Sequence, residues 1–109
     1  MSNSRMRGAV ALRAVFFSPA AGQCISREIP DATVDRTGEL YVFNENVRGR
    51  TSIRVNELGT PVHADGGLVV YCLPTRDDLR QAHCVLLEAM EHRLSNVRAQ
   101  LGMLGDAHV

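Results

Sequence analysis

The sequence predicts an α+β domain in which an antiparallel sheet of four to six strands is followed by one long C-terminal helix. That helix is expected to pack on the sheet and to overhang it. Three observations carry this reading. Residues 8–73 fall into short apolar runs separated by turn-forming residues. Asp65-Gly66 lies between two such runs and favours the positive φ angles of a tight hairpin. From about residue 75 to 104 the apolar residues change to three- and four-residue steps, uninterrupted by proline.

Residues 1–7 are polar and are expected to be a flexible lead-in to a single domain over 8–109. Ala9 to Phe17 reads as the first strand, with Val10, Leu12 and Phe16 on one face and Val15 and Phe17 on the other. Ser18 to Gly22 is a loop, and Cys24 to Ile29 a short second strand stopped by Pro30 and Asp31. Asp35-Arg36-Thr37-Gly38 has the residues of a tight turn. It leads into Glu39 to Phe43, apolar on both faces and therefore expected at the centre of the sheet. Asn44 to Arg50 reads as a polar loop. Ser52 to Leu58 alternates, with Ile53 and Val55 on one side and Arg54 and Asn56 on the wet side. Asp65-Gly66 sets Val62 opposite Val69, and Pro61 pushes its strand to an edge. Leu68 to Leu73 then feeds the helix.

Thr75 is the expected helix cap, with Asp77 and Asp78 placing negative charge at the positive end of the dipole. Gly102 or Gly105 is the expected stop. Leu79, Ala82, Leu86 and Met90 form a stripe suited to a sheet. His83, Leu87, Met90, Leu94, Val97, Leu101 and Leu104 follow the alternating four-three step of a coiled-coil seam. A helix of about 27 residues runs roughly 40 Å, whereas five strands span only about 24 Å. The seam therefore outruns the sheet, and Leu87, Met90, Leu94, Val97 and Leu101 are the expected dimer interface. Glu88, Glu91, Arg93 and Arg98 flank it without fixing an orientation.

The chain has 109 residues, and its 12 basic and 12 acidic side chains cancel, so no global field draws it to nucleic acid or an anionic membrane. All the basic residues are arginine, which favours planar, two-point contacts with phosphate or carboxylate. Arg48 and Arg50, with Arg54 on the following strand, are the candidate site for an anionic ligand or partner. The competing reading is a solvated loop balanced by Glu45 and Glu57.

No catalytic set is expected. Cys72 or Cys84 can be paired on paper with His63 or His83, but no motif places them together. Glu88 and His92 share a helical face without a third ligand, so no metal is expected, and no phosphate-cradling glycine loop suggests a cofactor. His83 is read as either a register-setting seam residue or a satisfied buried histidine. Cys24, Cys72 and Cys84 have no metal spacing, and Cys72 and Cys84 are expected to be buried free thiols in a reducing, cytoplasmic setting. Arg5 and Arg7 before the apolar run 8–17 outline a signal peptide, but Arg13 breaks the run and Gln23 precedes Cys24. No segment is long enough to cross a bilayer.

The sequence thus suggests a small homodimer that binds another protein or a small anionic ligand as an inhibitor, adaptor or sequestering protein. Viruses and mobile elements carry many short chains of this kind. The alternative is a nucleic-acid binder in which Tyr41 and Phe43 supply stacking surface beside the arginines.

Overall fold

The computed structural model describes residues 9–64 and 67–108, with side chains as far as residue 102. The lead-in 1–7, the Asp65-Gly66 turn and the Leu104 side chain lie outside the described residues. The strands are β1 (Ala9–Ser18), β2 (Gln23–Val34), β3 (Leu40–Val47), β4 (Arg50–Arg54), β5 (Pro61–Ala64) and β6 (Gly67–Cys72). They form one antiparallel sheet in the order β4-β3-β2-β1-β6-β5. A single helix, α1 (Arg76–His108), follows and packs on β6, β1 and β5. The α+β reading holds.

β1 is central because its two faces are apolar. Leu12, Ala14 and Phe16 join one buried cluster, and Val15 joins a second on the opposite face. β2 continues through Pro30 and Asp31 instead of stopping there. Val10 pairs with Ala32 and Leu12 with Ile29, so β2 carries one extra residue over this interval. That bulge tolerates a proline, which has no N–H for the ladder, and it turns both Ile29 and Ala32 inward although they are three apart.

β3 lies next to the edge, not at the centre, and Val42 on it is exposed. Its apolar content is used in another way, because the sheet rolls up. β4 and β5 are opposite edges joined by only Val55–Thr60. In a flat six-strand sheet the two edge strands would lie five spacings, about 24 Å, apart, near the reach of six fully extended residues. Half of the connection is a 3-10 turn, Val55–Glu57, so the edges must curl toward each other. Ile53 of β4 and Phe43 of β3 accordingly share a cluster with Val69 and Tyr71 of β6. The Tyr71 hydroxyl donates to the Val47 carbonyl at 2.8 Å, and its ring lies 5.4 Å from that of Phe43.

The 3-10 turn also corrects the expected strand Ser52–Leu58, which ends at Arg54. There the Glu57 carboxylate accepts the Arg54 backbone N–H at 3.1 Å. β5 and β6 keep the expected register, with Val62 opposite Val69 and Pro61 on the edge strand.

The Thr75 hydroxyl accepts the Asp78 N–H at 3.1 Å, a capped start to α1. Ala82 and Leu86 are buried on Val15, Val70 and Cys72, with Leu79, Val85 and Met90 packed around them. Neither Gly102 nor Gly105 ends the helix, which runs to His108. At 33 residues it is about 50 Å long. The molecule measures 71 × 26 × 22 Å, and its radius of gyration is 17.3 Å where about 13 Å suits a compact chain of this size.

Candidate functional site

Two surfaces stand out. The first is the free part of α1. Every residue from Glu91 to Gly102 is exposed, so the helix leaves the sheet after Met90 and projects without cover. Three large apolar side chains lie on it, Leu94 at 50% exposed, Val97 at 49% and Leu101 at 61%, and Leu87, one turn before it, is also 50% exposed. Leu87, Met90, Leu94 and Val97 line an apolar groove of about 470 Å³ edged by Glu91 and Arg93. The expected interface residues thus share one stripe, and Met90 alone among them also packs on the sheet.

The second surface is the arginine-bearing end of β3 and β4. Val47 pairs with Arg50 across a two-residue turn, Arg48-Gly49, with φ of 56° and 86°. Positive φ at both central positions is what a tight hairpin of this hand needs, and glycine supplies it without strain where arginine does not. Asn46 steadies the turn by accepting the Gly49 N–H through Oδ1 at 2.8 Å. The expected loop Asn44–Arg50 is therefore mostly strand and hairpin.

The turn separates the three arginines. The Arg48 guanidinium lies over the Phe16 ring, 4.1 Å from its centre. Arg48 also lines a cleft of about 300 Å³ with Phe17, Pro19, Leu68, Met90 and Arg93. Arg50 and Arg54 instead share a cleft of about 320 Å³ with Leu40, Ser52 and Glu57. Arg50 sits 3.6 Å from the Glu57 carboxylate, and Arg54 is exposed. A single three-arginine grip is not formed.

Phe43 is 5% exposed and supplies no stacking surface, contrary to the expectation for the sheet face. His83 donates its Nδ1–H to the Leu79 carbonyl at 2.8 Å, the satisfied-histidine arrangement. Cys72 is buried as expected, and desolvation, reinforced by the Asp78 charge and opposed by Arg13, pushes its thiol up to about 11. Cys84 is exposed, which corrects its expected burial. Among the described residues no group of three or more His, Cys, Asp or Glu side chains is placed to hold a metal. A further cleft, about 590 Å³, is lined by Asp35, Thr37, Glu39, Leu40 and Arg54. Its Asp35 carboxylate is already engaged, accepting from Thr37 Oγ1 and from the Glu39 and Leu40 N–H groups.

Sequence reasoning missed the hairpin at Arg48-Gly49 because arginine is a poor residue for positive φ. The Val47-x-x-Arg50 pairing needs Tyr71, 24 residues away, to hold it. No helix is long and apolar enough to cross a membrane among the described residues. No protein-family model, curated protein or solved structure matches this chain.

Proposed function

We propose that this chain is a small homodimeric binding protein that acts as an inhibitor, adaptor or sequestering partner. One observation carries the reading: an apolar stripe on a projecting helix, left uncovered by its own sheet. Helices in proteins owe most of their stability to packing of an apolar face, which the projecting turns lack within their own chain. Large exposed apolar rows on soluble chains are typically contact surfaces. A second copy of the same stripe is the partner best matched to it in length and chemistry, and two-fold pairing is the commonest assembly of identical chains.

Arg50 and Arg54 supply the target-binding end of the reading, toward another protein or a small anionic ligand, with Arg50 exchanging Glu57 for the incoming anion. Arg48 is assigned to structure. Replacing Arg50 and Arg54 together by Ala is expected to preserve the fold and remove target binding. Replacing Arg48 by Ala is expected to cost about 0.5–2 kcal/mol through its ring contact. Native mass spectrometry of the protein isolated from its source cells tests the whole reading. A dimer carrying a stoichiometric protein or anion supports it, and a bare monomer refutes it.

A further inference from the structure

We infer that the second copy docks antiparallel, with the two-fold axis crossing the helices between Ser95 and Asn96, so that the two sheets lie at opposite ends of the dimer. This inference rests on the dimer reading above and adds its orientation and register. The stripe limits the choice, because Leu87, Met90, Leu94, Val97 and Leu101 are the apolar side chains it presents along the helix. In an antiparallel pair centred at that point, Leu94 meets the partner's Val97 and Met90 meets the partner's Leu101. Each layer then joins a residue from the four-step to one from the three-step, as knobs-into-holes packing requires.

The flanking charges then decide between the two directions. Glu91 follows Met90 and Arg98 follows Val97, so both lie on the same side of the seam. Antiparallel packing brings that side against itself, placing Glu91 beside the partner's Arg98 and, by symmetry, repeating the pair. Arg93, on the other side, meets the partner's Gln100 and opposes no like charge. Parallel packing brings opposite sides together and sets Arg93 beside the partner's Arg98 twice, with no attractive pair to offset it. Both arginines and Glu91 are exposed and able to make these contacts.

A separate feature agrees. The apolar groove on the helix continues into the cleft lined by Phe17, Leu68 and Met90, since both share Met90 and Arg93. Phe17 is 37% exposed there, a large aromatic side chain that its own chain covers only in part. In the antiparallel register the partner's helix passes Met90 at its Leu101 and its last turns run on toward Phe17 and Leu68. The helix tail of one copy thus covers the patch beside the sheet of the other.

Two measurements test the orientation. Arg98→Glu is expected to weaken the dimer about tenfold by converting two attractive pairs into repulsive ones, and adding Glu91→Arg is expected to restore it. In a parallel dimer Arg98→Glu alone would tighten association. In a Cys84→Ser background, Leu101→Cys alone is expected to form no intermolecular disulfide, because the two positions lie roughly 16 Å apart along the axis. Mixed with Met90→Cys it is expected to form a heterologous one. Self-crosslinking of Leu101→Cys, or tightening by Arg98→Glu, overturns the antiparallel register and leaves the dimer standing. A wild-type protein that is monomeric in the same buffers overturns the dimer itself.

Discussion

Tyr71 ties the rolled sheet together at a single atom. Its hydroxyl reaches from β6 to the Val47 carbonyl just before the Arg48-Gly49 turn, and the side chain is fully buried. Burial raises its pKa, while Arg50 and Arg48 pull the other way. Tyr71→Phe leaves a buried carbonyl without its donor and is expected to lose about 1–3 kcal/mol in chemical denaturation. Cys72 gives a pH signature. The folded thiol keeps its proton to about 11, whereas an ordinary thiol releases it near 9.0. The unfolded chain therefore binds fewer protons than the folded one above pH 9. Stability should be unaffected below that pH and fall as it rises toward 11, by up to about 3 kcal/mol. Denaturation midpoints between pH 8 and 11, compared with those of Cys72→Ala, check this. Native labelling should modify exposed Cys84 and spare Cys72. At this scale the sequence was legible where one residue acts on its near neighbours, as Thr75 does on Asp78. It was illegible where the partner is remote, as for Arg48 on Phe16, because only the rolled sheet brings those two together.

The helix is two elements joined end to end. From Leu79 to Met90 its apolar arc fits the sheet, with Ala82 and Leu86 buried. From Glu91 to Gly102 it is exposed throughout. Leu86→Glu places a charge in the packed half, where a desolvated unpaired ion adds several kcal/mol to the lost burial of about 2 kcal/mol, and is expected to unfold the chain. Leu94 lies beyond the packed half and outside both buried clusters, so Leu94→Glu is expected to abolish the dimer and leave the circular dichroism of the sheet unchanged. Periodicity exposed this division because the width of the apolar arc changes along the helix. The strands were harder to delimit. Pro30 looked like a terminator because a bulge that admits proline depends on the strand beside it, and Glu39 to Phe43 looked central because its apolar residues fall on both faces, although Phe43 packs in the rolled core and Val42 stays exposed.

At the scale of the whole molecule, the short connection between β4 and β5 explains the shape. It forces the sheet to roll, the rolled sheet fills one face with its own side chains, and only the opposite face is left for a helix. A sheet so narrowed cannot cover a helix of about 50 Å, and the uncovered remainder is the surface proposed for contact with a second copy. Sequence alone indicated an overhang, but its extent followed from the rolling, a long-range property that no local pattern encodes. Sedimentation equilibrium of the wild-type chain and of Leu94→Glu at tens of micromolar tests this most directly. The wild type is expected at twice the 11.9 kDa chain mass and the variant at the chain mass itself. A wild type at 11.9 kDa, or a variant that keeps the doubled mass, would contradict the assignment of the projecting helix as the interface.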